Sequence, residues 1–374
     1  MKKTKAARLI VATSEIDADL LYATRFFAPD PFIFLEQNGK RTLVLSDLEI
    51  DRGRRQAKAD EFVLFSELER EVQGRAKKAP AYEKVLAHFL RKRGVRSTIV
   101  PASFPLGYAQ ELDRHKIRMR TTNGLFWPKR DAKSDEEIQM IGQALRITET
   151  GMARAMEVLK AAKVSGRKLK WAGKTLTSEI LRAEIDSAIL RAGGSPHGTI
   201  VAGGDQACDP HERGTGPLFA NELIILDVFP RDAKTGYFGD LTRTVVRGRA
   251  SDAQRKLWET VKAGQEMALK KIKAGADGST IHKAIQDLFA ERGYATGMRQ
   301  GRRVGFFHGT GHGLGLEIHE HPRVQKVILK DRQVVTVEPG LYYPGLGGVR
   351  IEDVVAVTKK GCKILSRFPK QLEI

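Results

Sequence analysis

The amino-acid sequence predicts an α+β protein, because its strand-like and helix-like segments come in clusters. From about residue 198 onward, runs of β-branched and aliphatic residues recur, as at 222–229 and 241–246. Two long segments with helical spacing precede these runs, and two more separate them from the last predicted strands. A core in which helices pack on one face of a sheet accounts for this order.

A different pattern in residues 1–128 predicts a smaller α/β domain of its own. Short apolar runs alternate there with amphipathic segments, and residues 82–90 have the spacing of a helix. The predicted strands of this domain lie at 8–12, 31–35, 42–45, 62–65 and 97–100.

Residues 129–133 are predicted to link this domain to a second domain that spans residues 134–374. Pro128 disfavours helix in the residue before it, and the run from Ser134 to Glu137 has the serine-to-glutamate spacing that starts helices. The predicted helices of the second domain are about 135–163, 177–192, 253–273 and 281–292. Its predicted strands are 198–202, 222–229, 241–246, 333–338 and 349–357.

Composition limits the class of protein. With 374 residues, 41% of them hydrophobic, the chain can hold two domains with a core each. No run approaches the roughly 18 apolar residues of a membrane span, and the apolar run near the start breaks at Ser14. We therefore expect neither a membrane protein nor an exported one. The two cysteines, Cys208 and Cys362, are too few for a disulfide framework and fit the cytoplasm.

The formal net charge of +19 would suit non-specific binding of nucleic acid. The basic residues are spread along the chain, however, and short clusters such as Lys2-Lys3 and 91–93 lack the interleaved aromatic residues of a single-strand platform. We interpret the charge as a solvated basic surface and expect no nucleic-acid partner.

A stretch rich in glycine and histidine, residues 308–321, has the strongest functional pattern. Glycine occupies every second position from Gly309 to Gly315, which strongly disfavours a helix. On an extended or looped path, His308 and His312 share one face while the glycines let a backbone or ligand approach closely. We interpret the stretch as presenting imidazoles to a metal or a substrate. The alternative is a glycine-rich turn with surface histidines.

Four carboxylates interrupt or end segments that are otherwise apolar, as core strands are. Asp227 closes a run of four aliphatic residues, Asp240 precedes a strand, Glu338 ends one, and Glu352 interrupts another. Burying an unpaired carboxylate costs several kcal/mol, so each side chain either faces solvent or has a positive partner. Each one alone is typical of an exposed residue or a salt bridge. Four of them beside several imidazoles favour a dinuclear divalent-metal site.

The order of these residues resembles the pita-bread metallopeptidases, family M24, which includes methionine aminopeptidase, aminopeptidase P, prolidase and creatinase. The resemblance covers the whole second domain and implies a curved, mainly antiparallel sheet covered by helices. Residues 1–128 resemble the creatinase-type N-terminal domain, through the loosely patterned run at 20–26. The matching segments are Asp227, Gly239 to Thr244, His308 to Gly315, Val337 to Gly340 and Val349 to Asp353.

The resemblance implies five metal ligands: Asp227, Asp240, His312, Glu338 and Glu352. Asp240 and Glu352 would bridge two ions, Asp227 would chelate one, and His312 and Glu338 would bind the other. It thus implies two divalent ions per chain and a hydroxide bridging them as the nucleophile. Mn²⁺ is the expected metal, with Co²⁺, Zn²⁺ and Fe²⁺ as alternatives.

Further histidines are placed at the substrate by the same resemblance. His319 matches a histidine that contacts the scissile carbonyl and its tetrahedral intermediate. His308 and His211 match substrate-side histidines of the proline-specific and creatinase branches, and His308 is also a catalytic candidate. The remaining histidines of the second domain are not expected to be catalytic: His197, His282 and His321.

The resemblance also implies a second role for the ligand Glu338 and a supporting role for Arg350. Glu338 is the expected proton shuttle, and Arg350 is expected to orient the carboxylate of Glu352 or Asp240 from behind. One departure from the family pattern concerns the first two ligands. Asp227 and Asp240 are thirteen residues apart, two more than the usual interval, which predicts a longer turn between them.

The implied function is metal-dependent hydrolysis of an N-terminal Xaa-Pro bond in short peptides. The proline imide has no N–H, so such peptides need a dedicated site. Phe229 stands where the family has a small residue, which bears on substrate preference.

A creatinase-like C–N hydrolase and a non-catalytic pita-bread binding module are the alternative functions. A binding module of this kind typically loses metal ligands, and none is lost here. A cytoplasmic homodimer is the expected form.

Overall fold

The chain divides after Arg130 into two units, Met1–Arg130 and Asp131–Ile374. The computed structural model describes residues 6–374, so the basic pair Lys2-Lys3 lies outside the described residues. Among the residues described, none of the helices combines the length and the apolar character needed to cross a membrane.

The first unit is built on one six-stranded mixed sheet. Its strand order is β4-β3-β2-β1-β5-β6, in which β1 pairs antiparallel with β2 and parallel with β5. The central strands are buried because their aliphatic and aromatic residues face helices or loops on either side. The elements are β1 (Ala7–Ala12), α1 (Ala18–Thr24), β2 (Phe32–Gln37), β3 (Lys40–Leu45), α2 (Ile50–Gln56), β4 (Glu61–Leu64), α3 (Phe65–Gln73), α4 (Tyr82–Lys92), β5 (Ser97–Val100), α5 (Leu106–Arg114) and β6 (Arg118–Thr121).

The second unit contains the four predicted helices, each within three residues of its predicted ends. Ser134 and Glu137 form the capping box that the sequence predicted for the first of them. The elements are α6 (Asp135–Ala161), β7 (Lys163–Ser165), β8 (Lys168–Trp171), β9 (Lys174–Thr175), α7 (Ser178–Arg191), β10 (Gly194–Ser195), β11 (Ile200–Gly203), β12 (Leu223–Val228), β13 (Arg231–Asp232), β14 (Leu241–Val246), α8 (Asp252–Lys271), α9 (Gly278–Glu291), β15 (Gly297–Arg299), β16 (Arg302–Val304), β17 (His312–Gly313), β18 (Glu320–Arg323), β19 (Val334–Val337), β20 (Gly340–Tyr343), β21 (Gly347–Arg350), β22 (Asp353–Val357) and β23 (Cys362–Ile364).

Two antiparallel sheets, each with its own helix pair, form the core of this unit. The sheet β11-β12-β14 shares an apolar cluster with α6 and α7. The sheet β18-β17-β19-β22-β23 shares another with α8 and α9. The helices therefore cover the sheets, as the α+β pattern predicted.

The predicted strand at residues 349–357 is wrong as a single element. β21 ends at Arg350 and pairs with β20, whereas β22 begins at Asp353 and pairs with β19. The two residues between them, Ile351 and Glu352, leave the ladder. Residues 349–357 contain neither glycine nor proline, so no turn residue in the sequence marks the break. Glu352 therefore belongs to neither strand pair, and its N–H donates to the carbonyl oxygen of Thr242 instead.

The glycines of residues 308–315 do allow close backbone approach. A Cβ atom added to Gly311 would lie 2.0 Å from the carbonyl oxygen of Thr336, and one added to Gly313 would lie 2.2 Å from that of His321. The stretch is therefore packed between neighbouring strands, where a larger residue would not fit.

Candidate metal centre

Two strand pairs bring four carboxylates to one place. In the β12–β14 pair, Asp227 lies opposite Thr242. Asp240 directly precedes the first residue of β14, so it lies close to the Asp227 end of β12. β19 and β22 pair with Val337 opposite Asp353, so Glu338 and Glu352 flank the same end of that pair. The sheets meet where the Glu352 N–H donates to the carbonyl oxygen of Thr242 at 3.1 Å.

His312 reaches the same cluster from β17. One ligand atom each of Asp240, His312 and Glu352 lies within 4.8 Å of the other two. The His312 Nε2 atom is 3.7 Å from Asp240 Oδ2 and 3.4 Å from Glu338 Oε1. The structure thus brings these four residues together, and Asp227 lines the same cavity.

The His312 ring is held in the tautomer that a metal ligand needs. Its Nδ1 atom lies 3.1 Å from the carbonyl oxygen of Gly313, so Nδ1 carries the proton and Nε2 keeps its lone pair. Burial, together with the nearby His319, lowers the pKa of His312 to about 3. At neutral pH the ring is therefore uncharged and faces the carboxylates through a free nitrogen.

The carboxylates repel one another strongly. Burial raises the pKa of Asp240 well above its ordinary value, and the charges of Glu352 and Asp227 raise it further. Burial likewise raises the pKa of Glu352, with Glu338 as the next cause. Burial raises the pKa of Glu338 to about 7, although Arg350 opposes the shift. Such a group keeps its negative charges at neutral pH only when cations lie among them.

An unpaired atom shows that the residues fit a metal. Within the described chain, Asp227 Oδ1 is buried and accepts no hydrogen bond, whereas Oδ2 accepts one from Arg350. A buried carboxylate oxygen without a partner is costly, and a hard cation would satisfy it. Carboxylate oxygens with one imidazole nitrogen are a donor set for divalent metals, so the five predicted ligands fit such ions.

Arg350 contacts a different carboxylate from the two that the sequence favoured. Its Nη2 atom donates to Asp227 Oδ2 at 2.7 Å, not to Glu352 or Asp240. It reaches Glu352 only through Thr242, whose hydroxyl lies 3.3 Å from Arg350 Nε and donates to Glu352 Oε2 at 2.7 Å. The sequence could not distinguish among the carboxylates, because the choice depends on how the sheets pair.

A hydroxyl links Arg350 to His308. Arg350 Nη1 donates to the Tyr342 hydroxyl at 3.1 Å, and this hydroxyl lies 2.8 Å from His308 Nε2. His308 Nδ1 faces the carbonyl oxygen of Gly309 at 3.0 Å, so the Tyr342 hydroxyl donates to Nε2. Burial, and then the charge of Arg350, lowers the pKa of His308 to about 3. The imidazole is therefore held neutral and in one orientation.

The ligands open into a cavity of about 640 Å³. His211, His308 and His319 all line it, as the sequence predicted for substrate-side histidines. The rings of His312 and His319 are 4.3 Å apart between centroids and meet edge to face. His197 does not line the cavity, and its ring lies 5.5 Å from that of Phe238.

Several residues of the site were missed by sequence reasoning. Tyr342 lies four residues after Glu338, and alternation along an extended chain could have placed both on one side. Arg323, at the end of β18, and Gln325 and Lys326, in the short turn at Val324–Lys326, also line the cavity. No pattern in the sequence points to these three residues.

The fold and this donor set are those of a metal-dependent peptide hydrolase. Residues 139–359 match metallopeptidase family M24, which is more than half of the chain. The chain therefore belongs to metallopeptidase family M24, whose members use divalent metal ions.

Particular relatives narrow the comparison. An Xaa-Pro dipeptidase of Pyrococcus horikoshii is 28% identical over 297 residues, which cover 78% of this chain and 79% of the relative. An Xaa-Pro dipeptidase of Pyrococcus furiosus is 31% identical over 244 residues, 64% of each chain. The solved structure of an Xaa-Pro dipeptidase from Bacillus anthracis aligns with a TM-score of 0.82 at 24% identity, over 98% of this chain and 95% of that one. An X-Pro aminopeptidase from Thermotoga maritima aligns with a TM-score of 0.82 at 23% identity, over 99% and 97%. At these identities the two structures establish the fold alone.

Proposed function

We propose that this metallopeptidase hydrolyses the bond between an N-terminal residue and a following proline in short peptides. The observation that carries the proposal is a buried group of four carboxylates and His312 that opens into a cavity lined by three further histidines. The Xaa-Pro dipeptidases among the relatives support the choice of substrate.

We propose that the five ligands are Asp227, Asp240, His312, Glu338 and Glu352, and that they hold two divalent ions. Mn²⁺ or Co²⁺ should serve better than Mg²⁺, because the donor set contains an imidazole nitrogen, and no thiolate is present to favour zinc. When bound, the ions supply a water activated for attack on the peptide carbonyl. Asp240 and Glu352, whose ligand atoms lie within 4.8 Å of each other and of His312, would help to hold both ions.

Two residues of the chain are proposed to handle the proton and the carbonyl. Glu338 is the proposed proton shuttle, because its carboxylate lines the cavity beside the other proposed ligands. His319 faces the cavity, and burial followed by the charge of Arg323 lowers its pKa. It is therefore neutral at pH 7 and can donate its remaining N–H to the carbonyl oxygen of the scissile bond.

The cations of the cavity favour a dipeptide over a longer peptide. Arg323 and Lys326 both line the cavity and are exposed, and in residues 6–374 neither has an acidic partner. The carboxylate of an Xaa-Pro dipeptide lies directly after the scissile bond, so it can pair with these side chains while the bond is at the metal. In a longer peptide the same position carries a neutral amide.

The substrate is tested by comparing kcat/KM for four compounds on the Mn²⁺-loaded protein: Ala-Pro, Ala-Pro-Ala, Ala-Ala and creatine. We expect Ala-Pro to be cleaved fastest, Ala-Ala at least tenfold more slowly, and creatine not at all. A preference for Ala-Pro-Ala would indicate an aminopeptidase P-like enzyme. Equal rates for Ala-Pro and Ala-Ala would refute the proline specificity, and turnover of creatine would favour the creatinase-like alternative.

The metal is tested by exhaustive chelation followed by elemental analysis and reconstitution. We expect about two ions per chain before chelation, no activity after it, and recovery with Mn²⁺ or Co²⁺. His312→Ala should lower both metal content and turnover by orders of magnitude, because this ring is the single nitrogen donor among the five proposed ligands. His88→Ala is the control, since that ring lies in the first unit and pairs with Glu71.

Three other expectations stay predictions: a creatinase-type first domain, a homodimer and a cytoplasmic location. Measurement of the mass in solution would test the dimer.

A further inference from the structure

A buried ion pair lies outside the metal ligands. Lys133 Nζ donates to Glu320 Oε1 at 2.6 Å, and the two side chains are only 2% and 4% exposed. Removing both charges from water is costly, and such a pair is often no more stabilising than an apolar pair of the same size. Its presence next to the site therefore needs a reason other than stability.

Glu320 fills the inside of the turn that carries His319. The N–H of Glu317 lies 3.4 Å from Glu320 Oε2, and a Cβ atom added to Gly315 would lie 2.6 Å from Oε1. The carboxylate is thus enclosed by residues 315–320 and contacts backbone on both sides of the turn. His319 directly precedes Glu320 in the chain, so the position of Glu320 restrains the backbone of His319.

Lys133 is itself fixed at its backbone. Its N–H donates to the carbonyl oxygen of Arg332 at 2.8 Å, and Arg332 Nε donates to the carbonyl oxygen of Lys133 at 2.7 Å. Arg332 lies two residues before β19, and Glu338 directly follows that strand. Lys133 therefore connects the His319 turn to the strand that leads to a proposed metal ligand.

A second contact holds His321, the residue that follows Glu320. Asp131 Oδ1 lies 2.9 Å from His321 Nδ1 and accepts a hydrogen bond from Gln333 Nε2 at 2.7 Å. Residues 131–133 thus hold the chain on the C-terminal side of His319 through two side chains. The sequence predicted residues 129–133 as a linker, but Asp131 and Lys133 are buried.

We propose that the Lys133–Glu320 ion pair is a positioning device that holds His319 against the metal centre during hydrolysis. The expected effect of the ion pair on hydrolysis rests on the proposed function. Its expected effect on the structure of the turn does not. Neither Lys133 nor Glu320 is among the residues that line the cavity, and they act through the backbone of residues 315–320.

Three variants separate positioning from stability. Lys133→Met and Glu320→Leu each remove one charge of the pair and leave the opposite charge buried, and both should lower the unfolding temperature. The double variant removes both charges and should recover the unfolding temperature, because apolar pairs commonly replace buried ion pairs without loss. The double variant still lacks the Glu320 carboxylate that accepts from the Glu317 N–H, so the turn and His319 should shift. Small displacements of a group at the reaction centre slow the reaction strongly, so kcat for Ala-Pro should stay about tenfold or more below that of the wild type. Metal content should not change.

Hydrogen exchange gives a readout that does not need activity. Backbone amides of residues 314–320 should exchange at least several-fold faster in the double variant than in the wild type, while amides of β12 and β14 should not change. Lys262→Met is the control, because it removes a lysine from an exposed pair with Glu266 on α8. It should alter neither exchange in the turn nor kcat.

Each outcome bears on one of the two proposals. A double variant with recovered stability and wild-type kcat would show that the pair is merely structural. Unchanged exchange in residues 314–320 would also overturn the positioning role. If the wild type cleaves no Xaa-Pro peptide, the proposed function fails, and the exchange experiment still decides whether the ion pair holds the turn.

Discussion

Gly311→Ala should damage the metal centre without touching a ligand. Gly311 directly precedes His312, and an added Cβ atom would lie 2.0 Å from the carbonyl oxygen of Thr336 and 2.9 Å from its hydroxyl oxygen. Ordinary contact begins at 3.4 Å, so the two strands would have to separate by about 1.4 Å. The nearest atom belongs to a buried backbone, which cannot rotate away.

The displacement acts on two ligands together. The Thr336 hydroxyl accepts the His312 N–H at 3.0 Å and lies 3.3 Å from Glu338 Oε1. Metal–ligand distances tolerate only about ±0.2 Å, which is much less than the required movement. We therefore expect nearly complete loss of metal at His312, together with an overpacking cost of ~1–3 kcal/mol in the free energy of unfolding.

The assay combines metal content after gel filtration with urea-induced unfolding. The matched control is Gly297→Ala, because no atom lies within 4 Å of a Cβ added there and its φ is not positive. The control should keep its metal and change the free energy of unfolding by less than about 0.5 kcal/mol. If Gly311→Ala binds as much metal as the wild type and unfolds at the same urea concentration, the close approach of strands is not what places His312.

Three further predictions use other parts of the second unit. Burial raises the pKa of Asp131, but hydrogen bonds from Lys330, Gln333 and His321 outweigh it and lower the pKa below the ordinary 3.8. This stabilisation is complete above pH 3.8 and is lost as the pH falls below it, so Asp131→Asn should cost ~1–3 kcal/mol at pH 7 and less near pH 3 in urea unfolding. A cost that does not depend on pH would contradict this. Gly142 lies inside α6, and no atom lies within 4 Å of a Cβ added there. Gly142→Ala should therefore stabilise the fold by ~0.5–1 kcal/mol, because alanine favours a helix more than glycine does. A lower unfolding temperature for this variant would show that the added methyl group does not fit. Tyr342→Phe should lower kcat for Ala-Pro more than it lowers metal content, because it breaks the link from Arg350 to a cavity histidine, and an unchanged kcat would refute a role for that link.

Local patterns predicted the helices well. The capping box at Ser134 and the lengths of α6 to α9 depend on residues close in sequence, so periodicity and turn residues suffice to find them. The candidate ligands were also visible, because a carboxylate at the end of an apolar run stands out wherever the strand is later placed. His312 was visible through the unusual alternation of glycine and histidine.

Pairing between distant strands was not predictable in the same way. The break at Glu352 exists because β21 and β22 pair with different strands, and no glycine or proline in residues 349–357 marks it. The partner of Arg350 depends on which strand end lies within reach of its guanidinium. Lys133 looked like part of a charged linker, because burial of a lysine becomes visible only when its acidic partner, 187 residues away, is known.

The geometry of the metal centre depends on polar contacts between the two sheets more than on either apolar core. Each sheet supplies two of the carboxylates, so the distances between them are set by how one sheet sits on the other. Apolar packing resists separation but directs side chains only loosely. Thr242 and Arg350 supply the directional contacts, because Thr242 bonds Glu352 across the sheets and Arg350 bonds Asp227. Both are buried, so solvent does not compete for these bonds. A substitution at Thr242 should therefore disturb the relative positions of the carboxylates while leaving each sheet intact.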